Sequence, residues 1–445
     1  MSNAPASITS SSVREQARAA RQAARKLALL SNEVRNSVLL AVAKRTEESS
    51  AHILRANAED CRAAEELVRT GKMAASLLAR LRVTEKTIGE MILRLEEVAR
   101  LDDPIGKRLA TTELDKGLVL YKESCPLGVV AVVFESRPDV VPQVSALVLK
   151  SGNAVLLKGG AEAARTNEVL VEIWRETLRE FPGVPEAAVT LLQSRADVME
   201  LLQLKREVDL IVPRGGRDFV EYISENSKVP VLGHGEGICH VYVDRAADLA
   251  KAEEITFDAK TQYPAACNSV ETLLVHSGIA AEFLPRLAAR LIDSGVELRG
   301  CERTRAILRQ ADIKSASESD WATEYSDLIL AIRVVDSLDA ALDHIAEFGS
   351  SHTEAIVTED AATAQRFLNE VDAAGVYHNV STRFADGYRY GLGSEVGISN
   401  SKLHARGPMG MEGLTTYKYK LVGNGQTVGS YTQGERILRP RKLEQ

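Results

Sequence analysis

Four short runs of almost unbroken Val, Ile, Leu and Ala constrain this chain more than anything else in it: GVVAVVF (128–134), AVLLK (154–158), AVTLL (188–192) and VDLIVP (208–213). Each is too short for a helix, and none alternates apolar with polar residues, so each needs apolar cover on both faces. Helical patterns separate them, and strands of this kind joined by helices make a parallel sheet. A second alternation follows Val229-Pro230: CHVYVD (239–244), a helix around 246–260, VETLLVH (270–276), a helix around 280–293, LILAIRVV (328–335), a helix around 337–348 and EAIVT (354–358). The fold class is therefore α/β, two doubly wound units in series, an arrangement that suits an enzyme working in the cleft between them.

Residues 13–100 carry helical signals throughout, with apolar residues at three- and four-residue steps such as Val34, Val38, Leu39 and Val42. They read as a helical layer covering a sheet. Near the end, TTYKYKLV (415–422) alternates polar with apolar residues, as an exposed or partner-paired strand does. The net charge of −7 over 445 residues argues against a nucleic-acid surface as the main business of the chain. No apolar run spans a bilayer, and the opening MSNAPASITSSS lacks a signal-peptide core, so the expectation is a cytoplasmic protein with no membrane contact. Five scattered cysteines (Cys61, Cys125, Cys239, Cys267 and Cys301), without a CxxC pair, imply neither a disulfide framework nor a zinc site.

Chemistry concentrates in a few places. In Gln262-Tyr-Pro-Ala-Ala-Cys267-Asn-Ser, a thiol lies between a helical run and a strand. Ala265 and Ala266 leave room for a carbonyl, and Asn268 with the local backbone offers donors to an oxyanion. A small buried hydrophobe is the competing reading of Cys267. Lys158 ends a strand and precedes Gly159-Gly160, which points a cation at the carboxyl edge of the sheet. Arg214-Gly215-Gly216-Arg217 follows another strand and opens a helix (218–225), a place where backbone N–H groups receive phosphate. No GxGxxG follows any strand, and each of these loops reads equally well as a tight turn with solvated charges.

The strings PLGVVAVVFESRPDV (126–140), SGNAVLLKGG (151–160), VDLIVPRGG (208–216), QYPAACNSVETLLVH (262–276), FGSSHTEAIVT (348–358), NVSTRFADGYRYGLGSEVGIS (379–399) and KLHARGPMGMEGLTTYKY (402–419) resemble the gamma-glutamyl phosphate reductase family of the aldehyde dehydrogenase superfamily. The resemblance runs from about residue 13 to about residue 430. It implies an aldehyde dehydrogenase-like fold with a cofactor-binding domain (13–110 and 125–233), a catalytic domain (234–412), a small β oligomerisation element (111–124 and 413–430), and tails at 1–12 and 431–445. It further implies NADPH-dependent reduction of L-glutamyl 5-phosphate to L-glutamate 5-semialdehyde in proline biosynthesis and a homo-oligomer, and it leaves open a contact with glutamate 5-kinase.

By the same resemblance Cys267 is the nucleophile, Lys158 meets the adenosine ribose, Arg214, Gly215 and Gly216 receive the pyrophosphate, and Glu324 holds the nicotinamide ribose. Arg137 and Arg406 are the candidates for the substrate's phosphate and α-carboxylate. His234 stands where aldehyde-oxidising relatives carry a general-base Glu, with Glu236 two residues away. Two positions depart from the pattern. Asp139 replaces an Asn whose amide would serve an oxyanion, and Ala161 replaces a lysine suited to a 2′-phosphate, a loss for which Arg165 compensates. An aldehyde-oxidising dehydrogenase and a non-catalytic scaffold on the same fold are the competing readings.

Overall fold

The structure, a computed structural model, describes residues 12–233, 235–309 and 313–443. The chain divides into two compact units: residues 1–232, 392–397 and 409–445, and residues 233–391 and 398–408.

The first unit opens with five helices, Val13–Leu27, Asn32–Glu48, Ser50–Arg69, Ala75–Leu81 and Glu85–Arg100. Ser12 starts the first with a capping box to Glu15. Val38, Leu39 and Val42 are fully buried in this layer, which packs on the wholly buried helix Val140–Lys150. Lys150 ends that helix with no exposure, its ammonium donating to Asn36 Oδ1 (2.5 Å) and Ala99 O (3.1 Å).

Strands β1 (Arg108–Asp115) and β2 (Leu118–Pro126) form an antiparallel hairpin turning at Gly117, whose φ of 74° suits glycine. Then come β3 (Val129–Phe134), β4 (Ala154–Lys158), β5 (Val189–Leu191) and β6 (Leu210–Arg214), all parallel in the order β5-β4-β3-β6. The chain builds outward on one side of β3 and then returns to add β6 on the other. That reversal opens a crevice at the carboxyl ends of β3 and β6.

The second unit holds β7 (Cys239–Val243), β8 (Val270–His276), β9 (Glu297–Gly300), β10 (Ile313–Ser315), β11 (Ile329–Val335), β12 (Thr353–Val357) and β13 (Gly375–His378). They form one parallel sheet in the order β10-β9-β11-β8-β7-β12-β13. One face packs Val241, Leu273 and Ile332 against Leu284 and Leu287 of helix Ser277–Asp293; the other packs Tyr242, Leu274 and Ile356 against Phe367 of helix Ala361–Glu370. Cover on both faces explains the near-continuous apolar strands. A two-residue pair, β14 (Ile398–Ser399) with β15 (Gly407–Pro408), completes this unit.

The last strands return to the first unit, where β16 (Thr415–Val422) pairs with β2 and β17 (Arg441–Leu443) with β1, giving a four-stranded antiparallel sheet. The residues expected as a tail, 431–445, thus contribute a strand, held by register pairs such as Thr111↔Leu443 and by the Arg441–Glu113 ion pair at 2.8 Å. The expected catalytic segment 234–412 also differs, because 392–397 and 409–412 group with the first unit. There Arg214 Nη1 donates to Val396 O at 2.9 Å, and Gly393 lies so close to Leu101 that an added Cβ would stand 3.0 Å from its Cδ1.

Buried in the second unit, His344 meets the rings of His240 and Trp321 edge-on, with Arg333 Nη1 2.8 Å from its Nδ1. Burial, then His240 and Arg333, push its pKa down from 6.5 to about 3. At His344 the folded state therefore binds fewer protons than the unfolded one between those values, and the contribution of this residue to stability falls as pH drops below 6.5, opposite in sign to that of a buried carboxyl such as Glu271, raised from 4.5 to about 7. The His344 contribution to the slope is about 1.4 kcal/mol per pH unit. Urea titrations from pH 7 to 4.5 on wild type and His344→Gln should give slopes that differ by about that amount, the variant losing less stability on acidification; equal slopes would contradict this role for the buried imidazole.

Candidate active site

In the second unit the candidate site is assembled at the amino edge of the sheet, from the loops that lead into β7, β8, β11 and β12. Helix Leu249–Thr261 stops just before Tyr263-Pro264, since a proline disfavours helical backbone at the residue preceding it. Two tight turns then carry the chain to Cys267, with Ala266 N donating to Tyr263 O (3.2 Å) and Ser269 N to Ala266 O (2.8 Å). Cys267 is half-buried. Gly237 lies against its backbone, where a Cβ would stand 2.0 Å from the Cys267 carbonyl oxygen, so glycine alone fits. Cys239 Sγ, fully buried, donates to the same carbonyl at 3.3 Å; burial pushes its thiol well above the usual range and keeps it protonated.

Asn268, expected to offer a donor to an oxyanion, spends its amide differently: Nδ2 donates to Ala385 O at 2.8 Å and the side chain is buried. Glu324 receives the Gly237 N–H at 3.0 Å on one oxygen and the Ser326 hydroxyl at 3.4 Å on the other. Behind these loops Lys260 and Glu271 form a 2.8 Å ion pair with no exposure of either side chain. Lys260 Nζ also donates to Val270 O (3.0 Å), and Glu271 accepts the Ser326 N–H (3.3 Å). One buried pair thereby braces the end of the Cys267 loop and the turn that carries Glu324. Burial pushes Glu271 up to about 7 against the pull of Lys260, and burial lowers Lys260 against the pull of Glu271.

Arg406 is held by Asp372 at 2.9 Å, and Lys402 binds the same carboxylate. Glu236 is half-buried, its carbonyl accepting from Asn400 Nδ2 at 3.4 Å, and His234 lies outside the described residues. Among the other thiols, burial raises Cys61 and Cys125. Burial acts the same way on Cys301, but bonds from Thr304 and the backbone outweigh it and leave that thiol below its ordinary range.

In the first unit the carboxyl edge of the sheet carries the expected cofactor residues. Lys158 is nearly buried at the end of β4 and donates to the Gly159 carbonyl; burial lowers its pKa, opposed by Glu162 and Asp197. Glu162, passed over in the sequence, accepts from Ser136 N (2.7 Å) and Oγ (2.8 Å). Helix Arg217–Asn226 begins at Gly216 with no side-chain cap, and the Gly216 N–H goes to Glu135 instead. A carboxylate thus stands in for an anion at that helix start, and burial followed by Glu162 raises its pKa. At Gly215 a Cβ would come within 2.7 Å of both Glu135 and Phe219. A helix start whose N-cap glycine offers no side chain, a glycine cradle and a desolvated cation fit a dinucleotide once its pyrophosphate replaces the Glu135 carboxylate. Arg214 serves Val396 O, as described, and approaches Glu395 at 3.9 Å. Arg137 meets Asp139 at 3.3 Å, and Asp139 also accepts from Gln143 Nε2 at 3.0 Å. Arg165 lies between Glu59 (3.2 Å) and Asp60 (3.3 Å).

No helix among the described residues is long and apolar enough to cross a membrane, and no cluster of three or more His, Cys, Asp or Glu able to hold a metal occurs among them. Residues 3–299 match the aldehyde dehydrogenase family. The gamma-glutamyl phosphate reductase of Synechococcus sp. strain JA-2-3B'a(2-13) is 52% identical over 96% of this chain and 94% of its own length, and that of Cyanothece sp. PCC 7425 is 54% identical over 94% and 95%. The crystal structure of the Thermotoga maritima gamma-glutamyl phosphate reductase superposes with a TM-score of 0.89 at 40% identity, covering 94% of this chain and all of that one. At 16% identity, the NADP complex of glyceraldehyde-3-phosphate dehydrogenase GapN from Methanocaldococcus jannaschii shares the fold, with a TM-score of 0.66 over 93% of this chain and 94% of that one.

The brace behind Cys267 gives a test. Glu271→Gln leaves Lys260 buried without its counter-ion and should cost about 3–5 kcal/mol of stability in urea unfolding. The double change Lys260→Met/Glu271→Leu should recover most of that loss. A single-variant cost below about 1 kcal/mol would show that the pair does not hold the loops.

Proposed function

The chain belongs to the aldehyde dehydrogenase family and, within it, to the gamma-glutamyl phosphate reductases of proline biosynthesis, and we propose that it reduces L-glutamyl 5-phosphate to L-glutamate 5-semialdehyde and phosphate through a thioester on Cys267. The observation that carries the reading is the setting of Cys267. It is the half-buried thiol of a loop pinned by Gly237, Cys239, Ser269 and Asn268. Cys239 is kept protonated beneath it.

The Cys267 thiolate attacks the acyl carbon, the carbon–oxygen bond to phosphate breaks, and phosphate departs with the electron pair. The nicotinamide, when bound, supplies the hydride. The resulting thiohemiacetal on Cys267 collapses to aldehyde and restores the thiolate. Because Asn268 is committed to Ala385, the developing oxyanion falls to backbone N–H groups of the Cys267 loop. Asp139 is no donor in its ionised form, and its partners Arg137 and Gln143 give it a positioning role in the first unit. Hydrolysis would waste the acyl group, so no water-activating base is wanted. The open-chain product then cyclises to 1-pyrroline-5-carboxylate as its amine attacks its aldehyde.

A nicotinamide cofactor is general to the family, and NADPH is the form proposed. Lys158 would hold the adenosine ribose, the Gly215-Gly216 turn the pyrophosphate, and Glu324 the nicotinamide ribose. Arg214 would shape that turn through Val396. Arg137 and Arg406 remain the first candidates for the phosphate and α-carboxylate, each after exchanging its present carboxylate for the substrate. Strand β16 leaves an open edge with Tyr417, Tyr419 and Leu421 exposed, which suits pairing with another copy of the chain in a homo-oligomer.

The reaction run backward tests the reading. L-glutamate 5-semialdehyde with NADP+ should yield NADPH only when inorganic phosphate is added, and Cys267→Ser should lose nearly all of that rate while binding cofactor normally. Phosphate-independent oxidation would instead indicate an aldehyde-oxidising dehydrogenase. Lys158→Ala should raise the Michaelis constant for NADPH by more than it lowers kcat; an unchanged constant would place the ribose elsewhere.

A further inference from the structure

Resting on the reading above, we infer that Arg383 is an anion-recognition residue of the substrate site, taking either the phosphate or the α-carboxylate of the acyl phosphate. Arg383 sits in the short turn Thr382–Phe384 and is 7% exposed. Its backbone N–H donates to Ser381 Oγ at 3.3 Å, and among the described residues its only side-chain hydrogen bond runs from Nε to Gln262 Oε1, at 3.0 Å. The two Nη groups find no acceptor there, yet neither is among the fully enclosed unpaired atoms, so both still reach accessible surface. A buried guanidinium with both Nη groups unused is an unsatisfied bidentate donor, the geometry that carboxylates and phosphates fit.

Its place in the unit sets that donor beside the loop of the nucleophile. Gln262, which accepts from Arg383, precedes Cys267 by five residues. Asn268, which follows Cys267, donates to Ala385, two residues beyond Arg383. The Arg383 turn is thus clamped to the Cys267 loop on both sides of the thiol. The guanidinium carbon also stands over the Tyr263 ring, 5.8 Å from its centroid.

Charge agrees with geometry. Burial, followed by Arg389, lowers the Arg383 pKa, while the negative charge available at Cys267, Asp386 and Asp258 opposes the fall. Asp386 is already occupied by Arg389 (3.5 Å) and by the N–H groups of Tyr388 (3.0 Å) and Arg389 (3.1 Å). Arg137 and Arg406, by contrast, each hold a carboxylate of their own unit. Of the three arginines, Arg383 can take a substrate oxygen without first giving one up.

The test reads protection of Cys267 from iodoacetamide, followed by peptide mass spectrometry, with Cys301 as internal reference. Inorganic phosphate and L-norvaline serve as separate probes for the phosphate and α-carboxylate subsites. In wild type one probe should slow labelling of Cys267, and Arg383→Lys should need at least tenfold more of it, while Arg383→Gln should lose the protection. The probe that protects identifies the subsite. In the reverse reaction the matching Michaelis constant, for phosphate or for semialdehyde, should rise by a similar factor with cofactor binding unchanged. Protection curves that coincide in wild type and both variants, or no protection by either probe, would overturn the inference. Since the Arg383 side chain makes a single hydrogen bond in the fold, through Nε, both variants should keep the wild-type melting curve, and loss of that curve would make the guanidinium structural and overturn it as well. Absence of phosphate-dependent turnover with protection intact would instead count against the proposed reaction and leave the anion site standing.

Discussion

A lysine and a glutamate with no access to solvent, Lys260 and Glu271, are the fixed point about which the loops of the second unit are arranged. Taking two charges out of water is costly, and the pair persists because each remaining polar atom is used: Lys260 on Val270 O, Glu271 on the Ser326 N–H. Those two bonds reach loops far apart in sequence. One carries Cys267, the other Glu324, and Gly237 lies against the first while donating to the second. A hydrophobic pair of similar volume would fill the same space without fixing either loop, which is the physical reason for accepting the cost.

The two units present their chemistry on opposite edges of their sheets. In the first, Lys158 and Arg214 lie at the carboxyl ends of β4 and β6, where open α/β sheets generally bind ligands. In the second, Cys267, Glu324 and Gly237 all precede the strands they lead into, so the amino edge carries the candidate site. The loops there include Ser326 and Ser351 with positive φ, at 51° and 57°, a conformation that costs energy for residues other than glycine and is tolerated only where the surroundings hold it.

Much of this was legible in the sequence, and the exceptions have physical causes. Strands β3, β4, β6, β7, β8, β11 and β12 announced themselves because burial on both faces leaves no polar alternation to confuse them. β9, β10 and β13 did not, since ELRG, IKS and GVYH are short and mix charge or polarity with apolar residues. Cys267 stood out by its small neighbours. Lys260 and Glu271 did not: a lysine near the end of a helix and a glutamate second in VETLLVH both look solvated, and only the packing of helix Leu249–Thr261 on β8 buries them. Arg383 lies in the string STRFADG, but its unused Nη groups appear only once Gln262 and Ala385 have been brought beside it. By residue type Asn268 offers a donor to substrate, but the fold brings Ala385 O beside it, and that carbonyl claims the amide.

The claim on which the account depends is that Cys267 carries the acyl group. Mixing the protein with L-glutamate 5-semialdehyde and NADP+ in the absence of phosphate should give a burst of NADPH and then stop, because phosphate is the nucleophile that releases the thioester. Peptide mass spectrometry of the acid-quenched sample should find a hydroxylamine-labile glutamyl adduct on the peptide containing Cys267, and phosphate added before the quench should remove it. An adduct on Cys301 or another residue, or full turnover by Cys267→Ser, would contradict the account.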